Sequence, residues 1–422
     1  MKVFKFGGAS VKDAAAVKNV AAILEHYRKE QLIVVVSAMG KTTNALEKVV
    51  NASIQQAPNL NELIAEVRDF HLRIINDLGF PANHSIHDKL NNCFVEIDWN
   101  TEGETDKGYN FVYDQIVSMG ELLATQIVSD YLALNGRANT WLDVRDVLIT
   151  DNTYREGKVD WATTEELIRK KTPSLLAAST LVITQGFIGA TTENYTTTLG
   201  REGSDYTAAI FSYCLKASEM VVWKDVPGVL SADPKYYDDA VKLEQISYRD
   251  AIELTYYGAT VIHPKTIKPL ENRQIPMRVA SFVAPTDKGT LIGDYQATKP
   301  LVPCFIFKPN QILFSISAKD FSFIAEDSIS AIFSLFVKHH VKVNLMQNSA
   351  ISFSVCMDND PMKIPALTRE LSSAYNVRYN ENLRLITIRH YFSSTVEQLT
   401  KGKEILLEQR SRQTAQLIIR ED

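Results

Sequence analysis

The chain has 422 residues, 45% hydrophobic and 23% charged, with 45 Lys and Arg against 50 Asp and Glu. At roughly 150 residues per domain the length implies about three domains. The composition excludes a disordered, collagen-like or disulfide-stapled chain. A formal net charge of −5 gives no global attraction for nucleic acid or an anionic membrane.

In chain order, Lys2 to Phe6 reads as a strand, Lys12 to Arg28 as a helix, and Leu32 to Ser37 as a strand buried on both faces. The residues Met1 to Gly8 do not form a signal peptide, because Lys5 and the glycines break the apolar stretch. The apolar run from Leu32 to Met39 falls far short of the roughly 20 residues that span a bilayer. A helix is expected from Thr43 to Ile54, then a helical insertion over Asn59 to Lys107 with a polar loop at Asn100 to Gly108. One long helix is expected over Asn110 to Leu134. Strands at Thr140 to Leu142 and Leu181 to Thr184, a helix at Ser204 to Leu215 and a strand at Glu219 to Trp223 complete an alternation. That alternation predicts helices on both faces of a largely parallel sheet.

Pro285, Gly289, Gly293, Pro300 and Pro303 punctuate a boundary. Beyond it the pattern is strand (Gln311 to Ile316), helix (Ser328 to His339), strand (Val341 to Met346) and strand (Ala350 to Met357). A helix at Lys363 to Tyr375, strands at Asn376 to Tyr379 and Leu383 to His390, a helix at Val396 to Gln409 and a strand at Ala415 to Ile419 follow. Two weakly similar βαββ units predict ferredoxin-like modules. Cys93, Cys214, Cys304 and Cys356 are far apart and form no CxxC pair, which fits neither a zinc site nor a disulfide framework. Scattered thiols suit a reducing cytoplasm.

Three segments place small residues and charges at strand ends. In Lys5-Phe6-Gly7-Gly8-Ala9-Ser10 a strand runs into two glycines whose N–H groups can approach a phosphate, with Lys5 at the same mouth. A tight turn with a Ser cap explains the same residues. In Thr196 to Asp205, Arg201 sits in a Gly-flanked loop and can grip a carboxylate, and Ser204 can cap the next helix. A polar surface loop is the plainer alternative. In Trp223 to Lys235, Lys224 and Asp225 stand at the C-terminal edge of a strand, where α/β sheets bind ligands. A long turn connection is equally compatible. Gly40-Lys41-Thr42 is not a P-loop, because Val35 occupies the position of its first glycine, and no GxGxxG occurs. His84 and His87 lack further ligands and read as surface residues, while His263-Pro264 reads as a helix start.

The segments KFGGAS (5–10), VSAMGKTTNAL (36–46), SMGELLA (118–124), DVRDVLIT (143–150), VITQGFIG (182–189), TTTLGREGSDYTA (196–208), WKDVPGVLSADP (223–234) and YGATVIHPKT (257–266) occur in an order that resembles the aspartokinases of the amino acid kinase superfamily. The C-terminal third resembles their paired ACT domains. The resemblance implies a three-layer α/β sandwich over about 1–295 and two ACT modules over about 300–422. It implies a monofunctional, cytoplasmic enzyme that transfers the ATP γ-phosphoryl group to the β-carboxylate of L-aspartate. The product, 4-phospho-L-aspartate, leads toward lysine, threonine and methionine.

By the family pattern Lys5 stabilises the transferred group and Asp205 orients Lys5. Arg201 holds the substrate α-carboxylate, Glu121 its α-ammonium, and Thr43 and Ser204 line the pocket. Gly120 would let the substrate approach Glu121. Gly7, Gly8, Ser10, Lys224, Asp225, Leu230, Lys235 and Thr260 are expected around ATP, with Mg²⁺ carried by the nucleotide and no protein-held metal site. Asn344 is expected at an amino-acid effector site, and ACT pairing implies a homodimer or larger assembly. The residues also leave open a related kinase acting on glutamate or a carbamate, and an amino-acid sensor without turnover. Ala9 stands where the family usually has Thr, Glu202 where it has Gly, Leu230 where it often has Tyr and Thr260 where it often has Lys. The Glu202 side chain is expected to point away from the bound anions.

Overall fold

The computed structural model describes residues 1–103, 107–259, 262–320 and 322–420. The chain divides into two compact units. The first comprises Met1–Val229, Lys242–Ile252 and Thr260–Pro300, and the second Leu230–Val241, Glu253–Ala259 and Leu301–Asp422.

In chain order the first part contains β1 (Lys2–Phe6), α1 (Ala14–His26), β2 (Leu32–Val36), α2 (Thr42–Ile54), α3 (Leu60–Leu78), α4 (Ile86–Glu102), α5 (Tyr109–Val117) and α6 (Met119–Leu134). There follow β3 (Thr140–Leu142), α7 (Trp161–Ala178), β4 (Leu181–Gln185), β5 (Ile188–Ala190), β6 (Thr196–Thr198), α8 (Gly203–Leu215) and β7 (Glu219–Lys224). Then come β8 (Gln245–Ser247), α9 (Tyr248–Tyr257), α10 (Pro264–Asn272), β9 (Met277–Ser281) and β10 (Thr290–Gly293).

Runs of β-branched and aromatic residues with no polar face can only be accommodated in strands covered on both sides. All five residues of β2 (LIVVV) are buried, as are Val3 to Phe6 of β1. The eight-stranded sheet has the order β3-β4-β2-β1-β7-β9-β10-β8, and only the β9–β10 pair is antiparallel. β1 lies between β2 and β7, with Lys5 opposite Val35 and Val222, and Phe6 opposite Val36 and Trp223. Phe6 stacks on Trp223 at 5.9 Å and Phe4 meets it edge-on at 5.7 Å. These contacts fix β1 against β7, so the parallel strands end side by side at Gly7, Ser37, Gly186 and Asp225.

Two expectations change here. The helix expected over Asn110 to Leu134 is two helices, α5 and α6. The Ser118 hydroxyl donates to the Gln115 carbonyl at 3.0 Å at the junction, a back-bond that bends a helix. Helix α1 starts two residues later than expected, after a 3-10 turn over Gly8–Val11, and Asp13 caps it by accepting the Ala16 N–H at 2.8 Å. His263 does cap α10, accepting the Lys265 N–H, with Pro264 at its first position.

The second unit contains β11 (Cys304–Ala318), α11 (Glu326–Lys338), β12 (Val343–Asn348), β13 (Ser352–Asp358), α12 (Ile364–Ala374), β14 (Tyr375–Arg389), α13 (Ser393–Thr400), β15 (Ile405–Arg410) and β16 (Thr414–Arg420). Its antiparallel sheet has the order β12-β13-β11-β14-β16-β15. The long strands β11 and β14 pair along their whole length, with a register shift between Lys308 and Leu313. Each half serves a different module. Ile312, Phe314 and Ile316 pack with Phe336, Phe353 and Leu367, whereas Phe305 packs with Ile388, Val396 and Leu417. The two strands expected at Asn376 to His390 are thus one, and Asn382 absorbs the irregularity at φ +56°. The helix expected at Val396 to Gln409 ends at Thr400; Gly402 turns at φ +77°, and the remainder is strand β15.

Candidate functional site

Four charged side chains converge at the C-terminal ends of β1 and β7 and the start of α8. The Lys5 ammonium lies 2.7 Å from the Asp205 carboxylate, and Lys224 lies 3.6 Å from its other oxygen. Asp205 is completely buried and Lys5 nearly so. Burial alone would raise the Asp205 pKa, but the two ammoniums outweigh it and hold the group below the usual carboxylate range. Asp205 is therefore an anion that fixes two cations at one strand edge.

Glu202 is the fourth member. Its half-buried carboxyl lies within electrostatic reach of Asp205, Lys224 and Lys5. The Gly203 N–H closes a turn on Gly200 O at 3.1 Å, and Glu202 occupies that turn with φ +57° as the residue capping α8. This left-handed geometry explains why glycine suits the position. Ser204 is correspondingly not a cap but lies buried within that turn. Its side chain fills the space beside Gly186, where an added Cβ would come within 2.5 Å of the Ser204 Cβ.

Glu121 opens the first turn of α6 and is 2% exposed. One carboxylate oxygen accepts the Ala38 N–H at 3.4 Å, and the other has no partner. Burial pushes its pKa up to about 8, against the Ala38 N–H and the positive charge of Lys5. A buried acid with a free oxygen is built to receive a cation. A Cβ on Gly120 would press on Ala38 and Thr42 at 3.1 Å, so the glycine allows α6 to pack closely on α2. Thr43 lies half-exposed on the first turn of α2 beside that contact, and Arg201 is exposed at the tip of the loop before α8.

The glycines after β1 have separate duties. A Cβ on Gly8 would lie 2.8 Å from Ala38 O and 2.9 Å from Gly40 O, so this residue seats the turn against the loop after β2. A Cβ on Gly7 would lie 3.3 Å from the Lys5 ammonium, so bare backbone borders that charge. Ser10 is buried in the 3-10 turn. Gly8→Ala should cost about 1–3 kcal/mol of stability, read as a lower melting temperature.

Lys224, half-exposed, ends β7, and the exposed Asp225 follows it. Leu230 and Lys235 belong to the second unit, and Thr260 lies outside the described residues. In the second unit Asn344 is already engaged. It accepts from Lys308 at 2.9 Å and donates to Gln311 and Asp358 at 2.8 and 2.9 Å. It borders a cleft of only about 10 Å³, shared with Tyr256, Tyr257, Lys308, Thr387 and Gln416.

The sequence reading missed the supports of the Arg201 loop. Asp114 on α5 is completely buried, accepts the Arg155 and Thr198 N–H groups and the Thr198 hydroxyl, and has its pKa raised by burial to about 6. Gln115 beside it donates to Thr196 O and accepts the Thr196 N–H. The pair clamps β6, which leads into Gly200 and Arg201. A charged residue inside the apolar run FVYDQIV was the available signal. Among the described residues no group of three or more His, Cys, Asp or Glu is arranged to hold a metal, and no helix is long and apolar enough to cross a membrane.

Residues 1–281 match the amino acid kinase family. The lysine-sensitive aspartokinase 3 of Escherichia coli is 31% identical over 397 residues, covering 92% of this chain and 86% of that protein. The chloroplastic aspartokinase 1 of Arabidopsis thaliana is 30% identical over 84% of this chain, which spans only 63% of its length. Among solved structures, E. coli aspartokinase III in complex with aspartate and ADP superposes with a TM-score of 0.84 at 28% identity, covering 100% of this chain and 96% of that one. The same enzyme in complex with lysine and aspartate, in its T-state, gives 0.85 at 27% identity with the same coverage.

Proposed function

The chain belongs to the amino acid kinase family, among the aspartokinases, and from that premise we propose that it transfers the γ-phosphoryl group of ATP to the β-carboxylate of L-aspartate. The observation that carries this reading is the pairing of a cation cluster, Lys5 and Lys224 around Asp205, with the buried acid Glu121, whose second oxygen has no partner. The first suits phosphate and the second an α-ammonium.

The nucleophile needs no base, since a free carboxylate of pKa near 3.9 is ionised at neutral pH. Its oxygen bonds to the γ-phosphorus as the bond to the ADP oxygen breaks, and no proton moves. Catalysis then rests on bringing two anions together and stabilising the transferred group. Lys5, aimed by Asp205, faces that group. Gly7, Gly8 and Ser10 contribute main chain and hydroxyl beside the phosphates. Lys224 and Asp225, with Leu230, Lys235 and Thr260, are read as nucleotide contacts. Arg201 takes the α-carboxylate and Glu121 the α-ammonium, with Thr43 and Ser204 beside them. Mg²⁺ bound with the nucleotide supplies further charge neutralisation.

Residues 1–295 are read as the catalytic domain and 300–422 as two ACT modules that sense an amino acid and pair between subunits of a homodimer or larger assembly in the cytoplasm. Lysine is the first effector to test, because the E. coli relative binds it. At Asn344 its ammonium would meet a carbonyl oxygen that already accepts from Lys308. The reading is tested by ADP release with ATP, Mg²⁺ and either L-aspartate or L-glutamate. ADP formation that depends on aspartate and not on glutamate is expected; the reverse preference moves the substrate.

A further inference from the structure

Helix α8 packs against both α7 and α10, and a cavity of about 550 Å³ lies where the three meet, within the first unit. That volume falls in the range of small-molecule sites, roughly 300–1,000 Å³. None of its lining residues belongs to the proposed transfer centre. Three of them are aromatic. Tyr206 and Tyr213 stand two turns apart on one face of α8, and Trp161 opens α7. Trp161 meets the two tyrosine rings edge-on, at 6.3 and 5.2 Å, and all three residues are only half-buried.

The charges on the wall are unbalanced. Its one acid, Glu165, is already shared by Arg169 at 3.1 Å and Arg273 at 3.2 Å. Arg273 also covers the Tyr213 ring at 4.4 Å. Helix α10 adds Lys265 and Lys268, both exposed and with no ion pair among the described residues. The cavity therefore joins aromatic rings to an excess of positive charge.

We infer that this cavity is a second small-molecule site, for a flat aromatic ring that carries an anionic group. The rings of Trp161, Tyr206 and Tyr213 offer faces and edges for a planar ligand. Lys265 and Lys268 offer the charge for a phosphate or carboxylate. A cationic ligand would have to compete with two arginines for Glu165, and an aliphatic one would make no use of the rings. Nucleotides and aromatic acids share the required chemistry. The inference is independent of the aspartate reading, because no lining residue serves in it.

The test is calorimetric titration of the full chain with adenosine monophosphate and with indole-3-acetate. Indole and inorganic phosphate, a ring without charge and a charge without ring, serve as comparisons. At least one of the two ring-bearing anions should bind with a Kd below about 1 mM, and the comparison compounds about tenfold more weakly or worse. Binding of adenosine monophosphate alone would mark a nucleotide site, and of indole-3-acetate alone an aromatic-acid site. Lys268→Glu reverses a charge on an exposed side chain, so it should fold normally and weaken binding about tenfold. Trp161→Leu should weaken it by a similar factor through lost stacking; if that variant misfolds, Lys268→Glu decides alone. No binding of either anion overturns the inference. So does equal binding of indole or phosphate, or an affinity unchanged in Lys268→Glu or in folded Trp161→Leu, which would place the ligand elsewhere on the protein.

Discussion

Lys5→Ala should lower kcat by roughly 10²–10³-fold, the usual cost of removing one preorganised charge from a transfer site. The Lys5 ammonium is held 2.7 Å from the fully buried Asp205 and emerges beside the bare backbone of Gly7. In the proposed reaction it would meet the phosphoryl group without reorganising. Removing one partner of a buried pair normally destabilises a protein by about 3–5 kcal/mol. Here Lys224 still lies 3.6 Å from Asp205, so the buried carboxylate keeps one cation and the fold should survive with a moderate loss of melting temperature. Steady-state turnover with circular dichroism as the folding control checks this. Near-normal kcat in the folded variant would remove Lys5 from the chemistry.

Glu121→Gln should raise the KM for aspartate by about two orders of magnitude while leaving the KM for ATP nearly unchanged, since losing a buried charge partner typically costs about 2–5 kcal/mol. The same change has a pH signature. The folded-state pKa of Glu121 lies at about 8, above its ordinary value of 4.5. The folded protein thus retains a proton that the unfolded chain has released. The stability this contributes is complete below pH 4.5 and is lost as pH rises through 8, a difference on the order of a few kcal/mol. Glu121→Gln should accordingly melt higher than the wild type at pH 8, with the gap closing toward pH 5. Aspartate binding should run the other way in the wild type, with its KM falling from pH 6.5 to 8.5 as the carboxylate forms. Superimposable melting and KM profiles for the two proteins would contradict the assignment.

The central strands were legible because their chemistry permits little else. LIVVV can only be a covered strand, and KVFKF ending in two glycines can only end at a turn. The aspartokinase motifs marked Lys5, Glu121, Arg201, Asp205 and Lys224, and the fold brings four of the five to a common strand edge or helix start around Asp205 and Glu121. What could not be read were conformations set by a single residue. Ser118 divides one helical pattern into two helices by bonding back to Gln115. Gly402 ends a helix whose apolar spacing continues into β15. Glu202 holds a left-handed φ of +57° that an ordinary glutamate would not suggest. Asp114 and Gln115 were invisible for a different reason: they act on a hairpin more than 80 positions away in sequence, and no local pattern encodes that contact.

The central claim is that the β-carboxylate of aspartate attacks the γ-phosphorus of ATP. It is tested most directly by running the hydroxylamine trap with L-aspartate labelled with oxygen-18 in that carboxylate. Hydroxylamine displaces phosphate from the acyl carbon, and the bridging oxygen leaves with the phosphate. The account predicts aspartyl hydroxamate and one oxygen-18 in each phosphate released. Phosphate released from ATP without the label would mean that water, not aspartate, accepts the phosphoryl group.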